Sequence, residues 1–199
     1  MISVKQLALI FSKHGGVMTT AQLHDAKLYY ADIQTLMQNE TIEKIKRGYY
    51  RLVDETDYSE ANMIHQLFPE AILCMDTALF YHKYSDRTPA AWHIAVDKNN
   101  RKTRYKLDYP AIKPYYWEEK LLHIGQSIIV IDDCEMTIYS KERTICDCLK
   151  YRNKMDREIF NKAIQGFIFD AGKDIPTLMK YAKILRVEKQ AKELLGIWL

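Results

Sequence analysis

Apolar residues first recur at helical spacing over residues 3–13, where Val4, Leu7, Ala8, Ile10 and Phe11 share one side. Ser3 stands as N-cap and Gly15-Gly16 as the stop. The run Thr19-Thr20-Ala21-Gln22-Leu23 offers a threonine cap to a short second helix that ends between residues 25 and 28. A third helix is predicted over 29–38. On a wheel of about 100° per residue, its inner side carries Tyr29, Ile33, Leu36 and Met37 and its outer side Ala31, Gln34, Thr35 and Gln38, with Asp32 at the boundary.

The pattern then changes period. Ile42-Glu43-Lys44-Ile45-Lys46-Arg47-Gly48-Tyr49-Tyr50-Arg51-Leu52 alternates as two short strands about an Arg47-Gly48 turn. In that register Lys46 faces Tyr49, Ile45 faces Tyr50 and Lys44 faces Arg51. One face then holds Ile45, Tyr50 and Leu52, the other Lys44, Lys46, Tyr49 and Arg51. A primed turn would want positive φ at Arg47; a slightly longer turn is expected to keep the same faces. After three helices, a hairpin that is apolar below and cationic above looks like the wing of a winged helix-turn-helix.

Beyond the acidic stretch Asp54-Glu55-Thr56-Asp57, the expected seam between domains 1–56 and 57–199, helices are predicted over 59–68, closed by Pro69, and over 76–84, with Asp76 as N-cap. Residues 92–96 and 127–131 read as strands, the second apolar enough to be covered on both faces, and 135–139 as its partner. Tyr115-Tyr116-Trp117 beside Pro114 is expected at a core edge. From residue 140 onward four helices are predicted, over 140–151, 156–170, 174–185 and 187–198, the first three capped by Ser140, Asp156 and Asp174. The fold class expected is α+β: the winged helix-turn-helix, then a mixed α/β domain with a small sheet and a C-terminal helical group.

Composition narrows the chemistry. Apolar content of 48%, charged content of 28% and a net charge of +3 describe an ordinary globular chain whose charge must be read by position. Residues 1–53 hold seven Lys and Arg against four Asp and Glu, and four of the seven lie in the hairpin. The start Met1-Ile-Ser-Val-Lys5 lacks a signal-peptide pattern and no segment approaches the roughly 20 apolar residues of a membrane span, so a cytoplasmic setting is expected. Cys74, Cys134, Cys146 and Cys148 are too few and too unevenly spaced for a disulfide scaffold.

Cys146 and Cys148 would point roughly 200° apart on one helix, and six scattered histidines offer no zinc spacing, so neither metal nor cofactor is expected. GxSxG, HExxH and glycine-rich phosphate loops do not occur, and Asp132-Asp133 reads as a turn, so no catalytic residue is assigned.

The N-terminal domain is expected to bind DNA, the alternative for so small a domain being protein docking. Gln34, Thr35 and Gln38 suit base edges in a major groove. Thr19 and Thr20 at the second helix's start, with Lys44, Lys46, Arg47 and Arg51, suit phosphates, and Tyr49 a sugar. A second basic run, Lys98, Arg101, Lys102, Arg104 and Lys106, reads equally as an extension of that track or as a solvated loop.

Four segments carry a resemblance: Gly16-Val-Met-Thr-Thr-Ala-Gln-Leu23; Lys46-Arg-Gly-Tyr-Tyr-Arg-Leu52; Thr77-Ala-Leu-Phe-Tyr-His-Lys-Tyr-Ser-Asp-Arg-Thr-Pro89; and Tyr139-Ser-Lys-Glu-Arg-Thr-Ile-Cys-Asp-Cys-Leu149. The last, with its Ser-x-Glu-Arg-Thr-x-x-Asp pattern, is the most specific. The chain resembles the AbiEi family, the antitoxins and transcriptional regulators of type IV (abortive infection) toxin-antitoxin pairs. The resemblance implies a protein that binds inverted repeats in its own promoter, as a dimer or cooperatively, and whose C-terminal domain counters a nucleotidyltransferase-like toxin without a stable complex. Read from its residues alone, the block looks structural: Ser140 caps, Glu142 lies in the first turn and Arg143 pairs with Asp147 at i,i+4. The alternative expectation is a winged-helix regulator whose C-terminal domain senses a ligand or a partner, and a catalytic Asp132 or Asp133 is a third.

Overall fold

The structure, a computed structural model, describes residues 3–53 and 59–196. The expected seam at 54–57 lies outside the described residues.

The first helix, α1 (Val4–Ser12), opens on a reciprocal capping box in which Ser3 Oγ accepts from Gln6 N–H while Gln6 Oε1 accepts from Ser3 N–H. Strand β1 (Val17–Thr19) leads into α2 (Thr20–Asp25), which Thr19 and Gln22 cap in the same manner. Helix α2 ends in a left-handed turn at Lys27 (φ 61°), with Lys27 N–H donating to His24 O and Leu28 N–H to Leu23 O. That turn sends the chain into α3 (Tyr30–Gln38), followed by β2 (Ile42–Lys46) and β3 (Tyr49–Leu52). The strands form a three-stranded antiparallel sheet in the order β1-β3-β2. Leu7, Phe11, Met18, Leu23, Leu28, Ile33, Ile42 and Leu52 make its core.

The remainder runs α4 (Glu60–Leu67), β4 (Ile72–Leu73), α5 (Met75–Tyr81), β5 (Trp92–Asp97), β6 (Ile112–Trp117), α6 (Glu119–Leu122), β7 (Gln126–Ile131), β8 (Cys134–Tyr139), α7 (Lys141–Tyr151), α8 (Arg157–Phe169), α9 (Ile175–Ile184) and α10 (Glu188–Leu195). The strands form a five-stranded mixed sheet in the order β6-β5-β4-β8-β7. Strand β4 is antiparallel to β5 and parallel to β8, and β5 is parallel to β6. The protein is therefore α+β with two small sheets, and among the described residues no helix is long and apolar enough to cross a membrane.

Two compact units result. The first takes residues 1–69 with two later segments, 107–110 and 130–134; the second takes 70–106, 111–129 and 135–199. Helix α4 thus belongs with the N-terminal elements. Segment 130–134 is held there by Asp132, whose carboxylate accepts from Ser59 Oγ at 2.5 Å.

Several expectations need correction. Asp76 is not a cap: Cys74 occupies that position and Asp76 sits in the first turn of α5. Strand β6 is unforeseen; Pro114 is tolerated because β6 lies at the sheet edge. Strand β7 is not covered on both faces. It is the opposite edge, with Ile128 58% and Val130 66% exposed.

The second unit packs around α7, whose residues 142–149 are all buried. Close approach of α8 to the segment that follows α5 depends on Gly166, where a Cβ would sit 2.9 Å from Tyr84 Cδ1 and 3.3 Å from Tyr84 Cα. Gly166→Ala would push Tyr84 off its hydrogen bond to Asp170 (2.6 Å), so a loss of about 1–3 kcal/mol is expected, read as a lowered thermal midpoint.

Candidate nucleic-acid interface

Helix α3 buries Ile33 and half-buries Leu36 and Met37 against the first core. Tyr29, expected on this inner side, is 59% exposed, because it is the N-cap and its backbone N–H donates to Asp32 Oδ2 at 2.9 Å. Asp32 is thereby engaged at the helix start, where a carboxylate also meets the positive end of the helix. Ala31 and Gln38 are exposed and Gln34 is half-buried. Tyr30, 75% exposed and one turn before Gln34, extends the same stripe, and the wheel drawn from Tyr29 missed it. Thr35 stands aside: its hydroxyl donates to Ala31 O at 2.9 Å, and with Asp32, Val4 and Leu7 it lines a cavity of about 310 Å³ between α1 and α3.

The hairpin departs from the expected register. Lys46 pairs with Tyr49 as anticipated, but Lys44 pairs with Tyr50, Glu43 with Arg51 and Ile42 with Leu52. Ile45 is the extra residue of a β-bulge, and from there each β2 side chain shifts by one position. Gly48 alone of the turn pair takes a positive φ (81°), so Arg47 escapes the left-handed backbone a primed turn would impose.

The bulge changes the charge on the ribbon. Glu43, rather than Lys44, lies beside Arg51 and forms an ion pair with it, and the Arg51 guanidinium also stands 5.4 Å from the Tyr109 ring centre. Lys46 Nζ donates to Leu67 O at 3.1 Å, with the Tyr49 and Phe68 rings at 4.4 and 4.1 Å. Two of the four hairpin cations anticipated on phosphates are thus committed inside the protein. Lys44 and Arg47 are exposed and, among the described residues, form no ion pair.

Thr19 and Thr20 are structural as well. Thr19 caps α2, and Thr20 N–H donates to Gly48 O at 2.9 Å, tying the hairpin turn to the start of that helix.

In the second unit, the run 98–106 is a loop with a 3-10 turn over Lys102–Tyr105. Lys98 pairs with Glu118 at 3.1 Å and Arg104 with Glu70 at 2.8 Å, Lys102 lies 5.9 Å from the Tyr116 ring centre, and Arg101 and Lys106 are exposed. Asp132 and Asp133 form the β7–β8 turn, both at positive φ. Burial pushes all four thiols up, Cys146 to about 12.

No protein-family model matches the chain, and no curated protein matches it. The residues themselves therefore carry the functional reading.

The Tyr139–Leu149 block is interior. Arg143 and Asp147 are fully buried and paired at 2.9 Å, and Arg143 Nη1 donates to Leu121 O and Ile124 O at 2.7 and 2.8 Å. The Tyr139 and Trp117 rings flank the guanidinium at 4.1 and 4.6 Å. Arg143 Nη2 and Asp147 Oδ2 find no partner among the described residues, and burial pushes the Asp147 carboxyl up to about 6. The 77–89 segment meets this block: His82 Nε2 lies 2.7 Å from Tyr139 O, and burial holds the ring's pKa below its ordinary value. Thr77 Oγ1 accepts from His93 N–H at 2.8 Å. Two of the four segments singled out in the sequence thus brace each other.

Proposed function

We propose that the chain is an autoregulating antitoxin of the AbiEi type, in which residues 3–53 act as a winged helix-turn-helix on inverted repeats in its own promoter. The observation that carries this reading is the outward stripe of α3, with Ala31 and Gln38 exposed and Gln34 half-buried, in the same compact unit as a hairpin that exposes Lys44 and Arg47. Glutamine can bond two base-edge atoms at once, and exposed cations at a hairpin tip hold phosphates and set register. The bond from Thr20 N–H to Gly48 O fixes that tip against the start of α2, the helix that precedes α3. Inverted repeats would take two copies of the chain, one per half-site. The second unit would counter a nucleotidyltransferase-like toxin without a lasting complex, in a cytoplasmic setting.

The test uses a duplex from immediately upstream of the gene and a scrambled duplex of equal length, with binding read by fluorescence anisotropy. Gln38→Ala is expected to reduce the preference for the native duplex about tenfold, as the loss of one bidentate base contact worth ~1–3 kcal/mol requires. Equal affinity of the unaltered chain for both duplexes would end the operator reading. The same variant should still rescue cells from the neighbouring toxin, and loss of rescue in a folded variant would mean that antitoxicity runs through DNA binding. Point substitution is preferable to truncation, because the first compact unit also contains residues 107–110 and 130–134.

A further inference from the structure

A cavity of about 670 Å³ lies where the end of β6, the C-terminus of α7 and the turn after α9 converge. This size lies within the roughly 300–1,000 Å³ of small-molecule sites. Two kinds of chemistry line it. Tyr116, Trp117 and Tyr151 supply rings, while Lys98, Lys120, Lys150 and Arg186 supply cations against a single carboxylate, Glu118.

That carboxylate is shared: Lys98 and Lys120 both reach it at 3.1 Å. Lys150 Nζ lies 4.9 Å from the Trp117 ring centre and has only a long 3.5 Å contact with Leu185 O, so most of its three donors remain to be used. Lys150 and Arg186 stand at the C-terminal ends of α7 and α9, and positive charge in the lining exceeds negative. Arg186 is exposed and holds a positive φ of 62°, a conformation for which glycine is the easier residue. Aromatic side chains and surplus cations in one cavity call for a ligand that is both planar and polyanionic.

We propose that this cavity binds a nucleoside triphosphate, its base against the aromatic wall and its phosphates among Lys98, Lys150 and Arg186. Base stacking on an aromatic side chain contributes about 1–3 kcal/mol and discriminates a nucleotide from a bare polyanion. The inference is independent of operator binding, which rests on other residues in the other unit. It also explains one part of the basic run 98–106: Lys98 lines the cavity and Lys102 lies over Tyr116, whereas Arg104 turns to Glu70.

The experiment titrates the full chain with ATP, GTP, CTP and UTP, and in parallel with inorganic triphosphate, adenosine and a single-stranded decanucleotide. Binding is followed by calorimetry and by tryptophan emission, with Trp117→Phe identifying the reporter. At least one nucleoside triphosphate should bind and alter Trp117 emission. It should bind at least tenfold tighter than inorganic triphosphate, with adenosine weaker still.

Lys150→Ala/Arg186→Gly should weaken that binding at least tenfold, while Lys44→Ala/Arg47→Ala leaves it unchanged. If the first pair compromises folding, Lys98→Ala/Lys120→Ala, at two exposed positions, is expected to give the same direction of change. The proposal is overturned if no nucleotide binds, if inorganic triphosphate binds as tightly as the best nucleotide, if only the decanucleotide binds, or if folded cavity variants bind unchanged.

Discussion

Arg143→Met is expected to destabilise the protein by about 3–5 kcal/mol at pH 7, the largest effect of any single substitution considered, because it strands a fully buried carboxyl. The pH dependence identifies the cause. In the unaltered protein burial raises Asp147 to about 6, above its unfolded value, so the folded state keeps its proton longer. The contribution of this group is therefore most favourable in acid, declines as pH rises towards about 6 and then levels off.

Without the guanidinium the carboxyl resists ionisation further, and the decline continues above pH 6 at about 1.4 kcal/mol per pH unit. The deficit of the variant should thus be smaller at pH 5 than at pH 7 in urea unfolding. His93, lowered to about 3, and His82, also lowered, work in the opposite direction, but they are present in both proteins and cancel in the difference. A deficit independent of pH would sink the assignment to Asp147. Arg143→Met/Asp147→Leu should recover much of the loss, since a buried ion pair can be exchanged for apolar packing at little cost.

On the operator-binding proposal, the hairpin gives the second large effect and separates the proposed DNA contact from scaffold. Lys44→Ala/Arg47→Ala should weaken operator binding on the order of tenfold or more near 0.15 M salt and make the logarithmic salt slope shallower by about 2, with stability unchanged. Lys46→Ala/Arg51→Ala should act the other way: the thermal midpoint falls, because Lys46 joins Leu67 O to two rings and Arg51 pairs with Glu43, while the salt slope holds. If both pairs flatten the slope equally, the internal contacts of Lys46 and Arg51 give way on DNA and the distinction drawn from the bulge fails.

The sequence disclosed most where local chemistry decides the outcome. Ser140, Asp156 and Asp174 cap α7, α8 and α9 as their residue types and positions indicated, and Thr19 does so for α2. It disclosed least where the outcome depends on distant partners. Ser127 to Ile131 is apolar enough for a covered strand, and only its place at the edge of the sheet leaves Ile128 and Val130 in solvent. Strand β6 is masked by Pro114, which reads as a breaker until β6 is known to pair on one side alone, with β5.

The bulge at Ile45 carries no residue signature, yet it moves Glu43 beside Arg51 and removes a cation from the expected surface. Lys98, Tyr116, Lys150 and Arg186 come from separate stretches of chain, so no spacing could have brought them together before folding.

The two margins of the five-stranded sheet are unequal. On the β6 side Lys113 and Pro114 discourage a further strand from adding, whereas Ser127-Ile-Ile-Val-Ile131 on the β7 side has neither charge nor proline to do so. Of the two margins, that is the one whose own residues leave it open to pairing with a further strand.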